Sequence, residues 1–349
     1  MSSTSSDVNP PATGQPYSRR EVQPMDPQLT TIQPGGGIII NLEMLWGRWR
    51  RFWLKTFRPG YVKKMESTRK GDFNPCPHDV LDPRDLKYHE NQGGYYWEEA
   101  DDPFAYRSRL PFAREGLAEL FVLSTLFFGG AALLTGVILS GVVTGVLSYI
   151  GWLLVLTLVL FGMEIVWFFR NPQRAIPAGE GVIVSPADGT FDTIEEIAHH
   201  EYIGGPAIEI GIFLSIFNVH INRMPVAGKI IKLVYRPGKC LNALRPESTR
   251  LNERLEVYLQ MPEPTNRPML VQQITGAIAR RIVCRLKPGD ELTKGAQFGM
   301  IKLGSRTVIV FPQEEGLEIL AKPGDKLKAG STTLAKYAES PTEASNEEA

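Results

Sequence analysis

The 349-residue sequence lacks a charge bias. Lys plus Arg and Asp plus Glu both number 38, so overall charge gives no reason to expect a nucleic acid partner. Cysteine is scarce. Cys76, Cys240 and Cys284 are odd in number and scattered, which excludes a disulfide framework and fits a reducing compartment. Cys76-Pro77-His78 supplies half the ligands of a structural zinc site and has no second half, so no metal is expected. His199-His200 has no obvious carboxylate or cysteine set for a metal and reads as a loop. The N-terminus lacks the basic start and apolar stretch of a secretory signal.

The most informative absence is local. From Leu120 to Met163, 44 residues, there is no Asp, Glu, Lys, Arg or His. That is too long for one buried core helix and enough for two spans of about 20 residues. Gly141, Gly145, Ser148 and Gly151 mark the turn, placing spans near 117–139 and 147–168. Arg107, Arg109 and Arg114 precede the first span, and Arg170 and Arg174 follow the second. Basic flanks stay cytoplasmic. The expectation is therefore a helical hairpin in the cell membrane, with the N-terminus and the following domain on the cytoplasmic side.

What surrounds the hairpin divides the chain. Residues 1–37 are rich in Ser, Pro, Gly, Gln and Thr and read as disordered. Residues 38–70 form a basic amphipathic segment. From Trp46 to Lys70 nine basic residues stand against one acid, Glu66, with Trp46, Trp49 and Trp53 at helical spacing. Such a helix either lies on an anionic membrane surface or packs on the protein body. Residues 71–115, with Gly93-Gly94-Tyr95-Tyr96-Trp97, read as an accessory region, 116–169 as the hairpin, 170–338 as a β-rich domain and 339–349 as an acidic tail.

Within 170–338, β-branched and apolar runs predict strands at 229–235, 255–260, 268–275 and 281–286 among others. Helical periodicity is scarce; only 246–252 and 273–281 have room for a turn or two. Lys287-Pro288-Gly289-Asp290 recurs 35 residues later as Lys322-Pro323-Gly324-Asp325. The fold class expected is a transmembrane hairpin followed by a mainly β, α+β domain of sandwich or barrel character with lipoyl-like hairpin elements.

The run 298–312 reads as two strands around Gly304-Ser305. Alone, such a pair is a turn between paired strands. Gly304 also permits strained backbone, and Ser305 places a hydroxyl next to the Gly304 carbonyl. Two further motifs accompany it: Ser185-Pro186-Ala187-Asp188-Gly189 and Phe217-Asn218-Val219-His220-Ile221-Asn222-Arg223-Met224-Pro225. In this order, with Phe168-Phe169-Arg170-Asn171-Pro172, Gly238-Lys239-Cys240-Leu241-Asn242-Ala243, Asn252-Glu253-Arg254 and Ile278-Ala279-Arg280-Arg281, the set resembles the phosphatidylserine decarboxylase proenzymes over about residues 115–337.

The resemblance implies self-cleavage between Gly304 and Ser305. Ser305 attacks the Gly304 carbonyl, and the resulting ester eliminates. The products are a β chain, 1–304, and an α chain, 305–349, whose first residue loses ammonia to become a covalent pyruvoyl group. That group serves as electron sink for decarboxylating phosphatidylserine to phosphatidylethanolamine. It also implies catalytic roles for Ser305, His220 and Asp188. His220, with an ordinary pKa near about 6.5, suits proton donation. Arg223, Asn222 and Asn242 are expected at the headgroup. Arg223 stands where some members carry a second His, so the cleavage base stays open between His220 and Asp188 with strain; Arg306 fits the short bacterial subgroup. A decarboxylase of another serine-headgroup lipid, such as archaetidylserine, and a non-enzymatic lipoyl-like membrane protein are the alternatives. The bilayer is the expected partner, and a homodimer is left open.

Overall fold

The computed structural model describes residues 17–68, 79, 81–92, 105–243, 245, 247–277, 281–302 and 304–338. Residues 1–16, Cys76-Pro77-His78, Gly93-Gly94-Tyr95-Tyr96-Trp97, Ile278-Ala279-Arg280 and the tail 339–349 lie outside them.

Helix α1 (Gly37–Phe57) leads into α2 (Pro59–Ser67). Pro59 explains the break, because the residue before proline is pushed out of helical conformation while proline itself suits a first helical position. A short helix, α3 (Leu86–Glu90), packs on α1. Helices α4 (Leu117–Leu139) and α5 (Val146–Phe168) pair side by side, joined through Gly141 and Gly145 at positive φ. Each is long and apolar enough to cross a membrane. Their 23 residues give about 35 Å of helix, a little more than a bilayer's hydrocarbon core.

The strands among the described residues are β1 (Val182–Val184), β2 (Gly189–His200), β3 (Gly205–Leu214), β4 (Ile221–Arg223), β5 (Gly228–Arg236), β6 (Arg254–Gln260), β7 (Pro268–Thr275), β8 (Arg281–Cys284), β9 (Glu291–Leu292), β10 (Gln297–Lys302), β11 (Ser305–Pro312), β12 (Glu318–Ile319), β13 (Lys326–Leu327) and β14 (Thr333–Lys336). A single helical turn, α6 (Ser248–Leu251), interrupts them. They form an antiparallel sheet of eight strands, ordered β13-β2-β3-β11-β7-β6-β5-β9, and two three-stranded sheets, β1-β14-β12 and β4-β10-β8. One core joins all three sheets, drawing Ile183, Phe191, Ile210, Val257, Ile282, Ile301, Ile309 and Leu334 together. No closed barrel is found among the described residues, and the barrel expectation is not carried further.

The repeated turn has a structural role of its own. In each copy the Asp carboxylate accepts the Lys backbone N–H, Lys287 to Asp290 at 2.7 Å and Lys322 to Asp325 at 2.8 Å. Gly289 and Gly324 both sit at φ +98°. One copy feeds β9 onto β5 and the other feeds β13 onto β2. The repeat therefore caps the two opposite edges of the large sheet, where unpaired strand groups invite aggregation. Edge capping accounts for the repeat without a lipoyl-like module, which loses its one sequence support.

Two further expectations change. Residues 17–36 are not disordered but run along the β domain. The Gln23 N–H donates to the Ile231 carbonyl, the Tyr235 N–H to the Asp26 carboxylate and the Cys284 N–H to the Ile32 carbonyl, all at 2.9 Å. Polar composition could not reveal this, because the backbone rather than the side chains makes most of the attachment. Second, β10 and β11 are not a hairpin. β10 pairs with β4 and β8, whereas β11 pairs with β3 and β7. The Gly-Ser pair lies where the chain crosses from one sheet to another.

Candidate active site

Gly304 makes that crossing at φ +64°, a left-handed conformation that costs a residue with a Cβ roughly 1–2 kcal/mol. Ser305 follows as the first residue of β11, opposite Leu214 on one side and Thr275 on the other. Its side chain is fully buried and its hydroxyl has no hydrogen-bond partner among the described residues. A buried unsatisfied hydroxyl costs about 1–3 kcal/mol, so its retention at a strained crossing points to chemistry rather than stability.

His220 closes the other side. The backbone N–H of Gly304 donates to His220 Nε2 at 3.3 Å, and His220 Nδ1 lies 2.9 Å from the Asn218 carbonyl. A carbonyl only accepts, so Nδ1 carries the proton and Nε2 presents a lone pair. Burial pushes the imidazole down to about 4, against a smaller opposing effect of the Asn218 carbonyl. His220 is thus neutral at physiological pH, with Nε2 the nitrogen that can accept a proton. This corrects the expectation of an ordinary imidazole near pH 6.5. Phe168, the last residue of α5, packs against it, with ring centroids 4.4 Å apart.

The room for the Gly304 carbonyl comes from Gly276. A Cβ there would stand 2.1 Å from the Gly304 oxygen. Asn252 holds the neighbouring loop: its side chain donates to the carbonyls of Leu241 and Thr275 and accepts the Leu241 N–H. Arg306, buried, donates to the Ala243 carbonyl at 3.2 Å and pairs with Asp192. The 238–243 and 252–254 motifs therefore build one wall of the Ser305 site.

Asp188 is placed differently from a catalytic triad. Its carboxylate accepts from Arg174 at 2.6 Å and from the Ala329 N–H at 2.8 Å. Burial pushes its pKa up, opposed by the Ala329 N–H and by Arg174. No hydrogen bond joins it to His220 among the described residues. Its turn is nonetheless locked to the His220 strand, since the Arg223 N–H donates to the Pro186 carbonyl at 2.9 Å.

The expected headgroup contacts separate. Asn222 is buried and accepts from Gln273 at 2.9 Å while donating to Thr307 at 3.1 Å. Arg223 donates to the Gly295 carbonyl at 3.0 Å and to Asn171 at 3.3 Å. Both side chains make hydrogen bonds inside the protein. Asn242 is exposed beside Ala243.

A buried ionic group lies under β10. Lys302 Nζ is 2.5 Å from Glu119 in the first turn of α4, Arg281 is 2.6 Å from the same carboxylate, and Arg281 also meets Glu43 of α1 at 3.2 Å. The strand leading to the crossing is thus tied to the foot of the apolar hairpin. Sequence reasoning missed Phe168, Asn252, Gly276 and this ionic group as parts of one site. Phe168, Asn252, Arg281 and Lys302 fell in motifs singled out from the sequence, whereas Gly276 and Glu119 did not.

Fold and site define a class: an apolar two-helix hairpin carrying an antiparallel β domain, with a buried serine at a strained sheet-to-sheet crossing. Residues 161–335 match the family model described as phosphatidylserine decarboxylase. The chain is 47% identical to the phosphatidylserine decarboxylase proenzyme of Rhodopirellula baltica over 252 residues, 72% of this chain and 99% of that protein. It is 44% identical to the proenzyme of Carboxydothermus hydrogenoformans over 200 residues, 56% of this chain and 92% of that protein. For the proenzyme of Syntrophus aciditrophicus the identity is 42% over 171 residues, 49% of this chain and 78% of that protein. The chain belongs to the phosphatidylserine decarboxylase family, a family of carboxy-lyases.

Proposed function

We infer that this protein is a proenzyme that cuts itself between Gly304 and Ser305 and then decarboxylates phosphatidylserine to phosphatidylethanolamine, releasing carbon dioxide. The observation that carries the reading is the buried Ser305 hydroxyl, unpartnered among the described residues, next to a left-handed Gly304 whose N–H meets a neutral imidazole, in a chain of this family.

The residues present fit a pyruvoyl group made from Ser305. In self-cleavage, the Ser305 oxygen attacks the Gly304 carbonyl carbon and the Gly304–Ser305 C–N bond breaks, leaving an ester. His220 Nε2 is the candidate base for the serine proton. Its lone pair is held by the Gly304 N–H, so proton transfer requires that hydrogen bond to open. Asp188 with Arg174 fixes the turn beneath the His220 strand. When present, the pyruvoyl group supplies an electron sink for loss of the substrate carboxylate. His220, buried and hydrogen-bonded through Nδ1, is positioned to hold and return a proton during that loss. Asn242, exposed beside Ala243, is the candidate headgroup contact.

We place α4 and α5 in the cell membrane with the β domain on the cytoplasmic side, because Arg107, Arg109, Arg114, Arg170 and Arg174 flank the hairpin. The foot of α5 packs against His220, so the site lies near the bilayer surface where a lipid headgroup would be presented.

The test is the intact mass of purified, denatured protein, with a phosphatidylserine decarboxylation assay beside it. A fragment 305–349 with its first residue as pyruvoyl, together with lipid turnover, is expected. A single uncut mass from a folded chain without turnover overturns the reading.

A further inference from the structure

Helix α1 has one packed side and one bare side. On the packed side Leu54 is buried, Gly47 abuts the Tyr88 ring, Arg50 pairs with Asp82 and Asp85, and Arg51 pairs with Asp85 at 2.5 Å. On the bare side stand Leu45, Trp46, Trp49, Phe52, Trp53 and Phe57, 39–64% exposed. Their spacing of three and four residues puts them on one helical face. Trp46 and Trp49 stack at 5.1 Å in the open. Leaving this much aromatic surface in water has no stability rationale.

Exposed basic residues stand on α1 and on α2, which follows it directly. Arg48, Lys63 and Lys64 are exposed and carry no ion pair among the described residues. Residues 44–65 contain no acid. The face also begins at the hairpin's foot, since Glu43 of α1 and Glu119 of α4 share the Arg281 guanidinium. Covering the face with a second copy of itself would bring two copies of the acid-free basic stretch 44–65 together, which repel. An anionic leaflet fits both parts: tryptophans settle at the headgroup level and lysines and arginines attract acidic lipid.

We propose that the exposed face of α1 lies in the surface of an anionic lipid leaflet, as a third membrane element beside the hairpin. There it fixes the tilt of the β domain and gathers acidic lipid near the Ser305 site. This rests on the hairpin spanning the membrane but not on the reaction. It resolves the amphipathic segment that the sequence left open between membrane surface and protein body: the helix does both, one side each.

The full chain is reconstituted in phosphatidylcholine nanodiscs, with or without phosphatidylglycerol, which is acidic but not a serine lipid. An environment-sensitive fluorophore is attached at Phe52→Cys or, as control, at Glu318→Cys, and the signal of the labelled unsubstituted chain is subtracted. Acyl chains brominated close to the headgroup serve as quencher. The expected result is quenching at position 52 and none at 318. Phosphatidylglycerol should deepen it, and R48E with K63E and K64E should remove that dependence. Equal quenching at both positions, or shielding at 52 that instead follows protein concentration in detergent, overturns the proposal. Decarboxylation is read separately. A chain that turns over lipid with position 52 unquenched loses this inference and keeps the function; the reverse pattern keeps the inference and loses the function.

Discussion

The ring of Phe168 lies 4.4 Å from the ring of His220. The last residue of the second apolar helix thereby forms part of the His220 environment. Around the pair, Ala113, Phe169, Val219, Ile221, Val283 and Met300 make a small core separate from the main one. Two bonds reinforce the joint: Trp167 Nε1 and an Arg170 guanidinium nitrogen both donate to the Phe217 carbonyl, at 3.1 and 2.9 Å. Anchor and active site are one packed unit.

Phe168→Ala should act on this unit in two ways. Removing a buried ring destabilises by about 3–5 kcal/mol. It also admits water to His220, whose low pKa arises mainly from burial. The acid limb of self-cleavage should therefore move upward toward the ordinary imidazole range, seen by following precursor conversion against pH. An unchanged limb would mean that Phe168 does not set the imidazole's environment.

His220 also fixes a pH dependence of stability. Its folded pKa, about 4, lies below the unfolded value near 6.5. Between those values the unfolded chain binds the extra proton, so this contribution is complete above about pH 6.5 and is lost as pH falls toward 4. The shift corresponds to roughly 3 kcal/mol. Denaturant midpoints of the uncut Ser305→Ala chain should fall across that window. With His220→Gln added, much of the slope should vanish.

Gly276 and Gly304 should respond differently to alanine. At Gly304 an added Cβ meets nothing within 4 Å, so the cost is the left-handed backbone alone, roughly 1–2 kcal/mol. At Gly276 it would stand 2.1 Å from the scissile oxygen, backbone against backbone. Gly276→Ala should accumulate folded, uncut precursor, and Gly304→Ala should slow conversion less severely. Time courses on denaturing gels, with circular dichroism as the fold control, decide it.

Cleavage should not release the short chain. β11 is held over Ser305–Pro312 by β3 and over Ser305–Val310 by β7, in the middle of the large sheet. β13 and β14 from the same fragment pair with β2 and β1. Fragments 1–304 and 305–349 should elute together from a sizing column in mild detergent and part only in denaturant.

Glu119→Gln should weaken the foot of the hairpin. It leaves Lys302, 8% exposed, and Arg281, 7% exposed, short of a counter-charge. Breaking a buried pair costs roughly 3–5 kcal/mol, with the lower end apt because Glu119 is partly exposed. A lowered thermal midpoint and slower conversion should appear together, since Lys302 ends the strand that leads to Gly304.

Much was legible in one dimension. An uncharged stretch of 44 residues leaves few alternatives to apolar helices, and β-branched runs such as Ile208–Leu214 leave few to strands. The Gly-Ser pair, His220 and the order of motifs identified the family. The catalytic neighbourhood was less legible, because Phe168, Gly276 and Glu119 are separated from Ser305 by up to 186 residues and carry no local pattern. The internal partners of Arg223 and Asn222, Gly295 and Gln273, are 72 and 51 residues away and were equally out of reach of local pattern.

By itself the sequence determined the local matters: where apolar helices and strands form, where a glycine permits a left-handed turn, and which nucleophile follows it. Backbone sterics and hydrophobic periodicity act over a few residues, so they can be read from the chain. Only the tertiary structure decided that Gly304-Ser305 crosses between sheets instead of closing a hairpin, that Asp188 faces Arg174, and that the histidine is neutral. Those outcomes depend on strand pairing and on burial, which arise when distant segments meet.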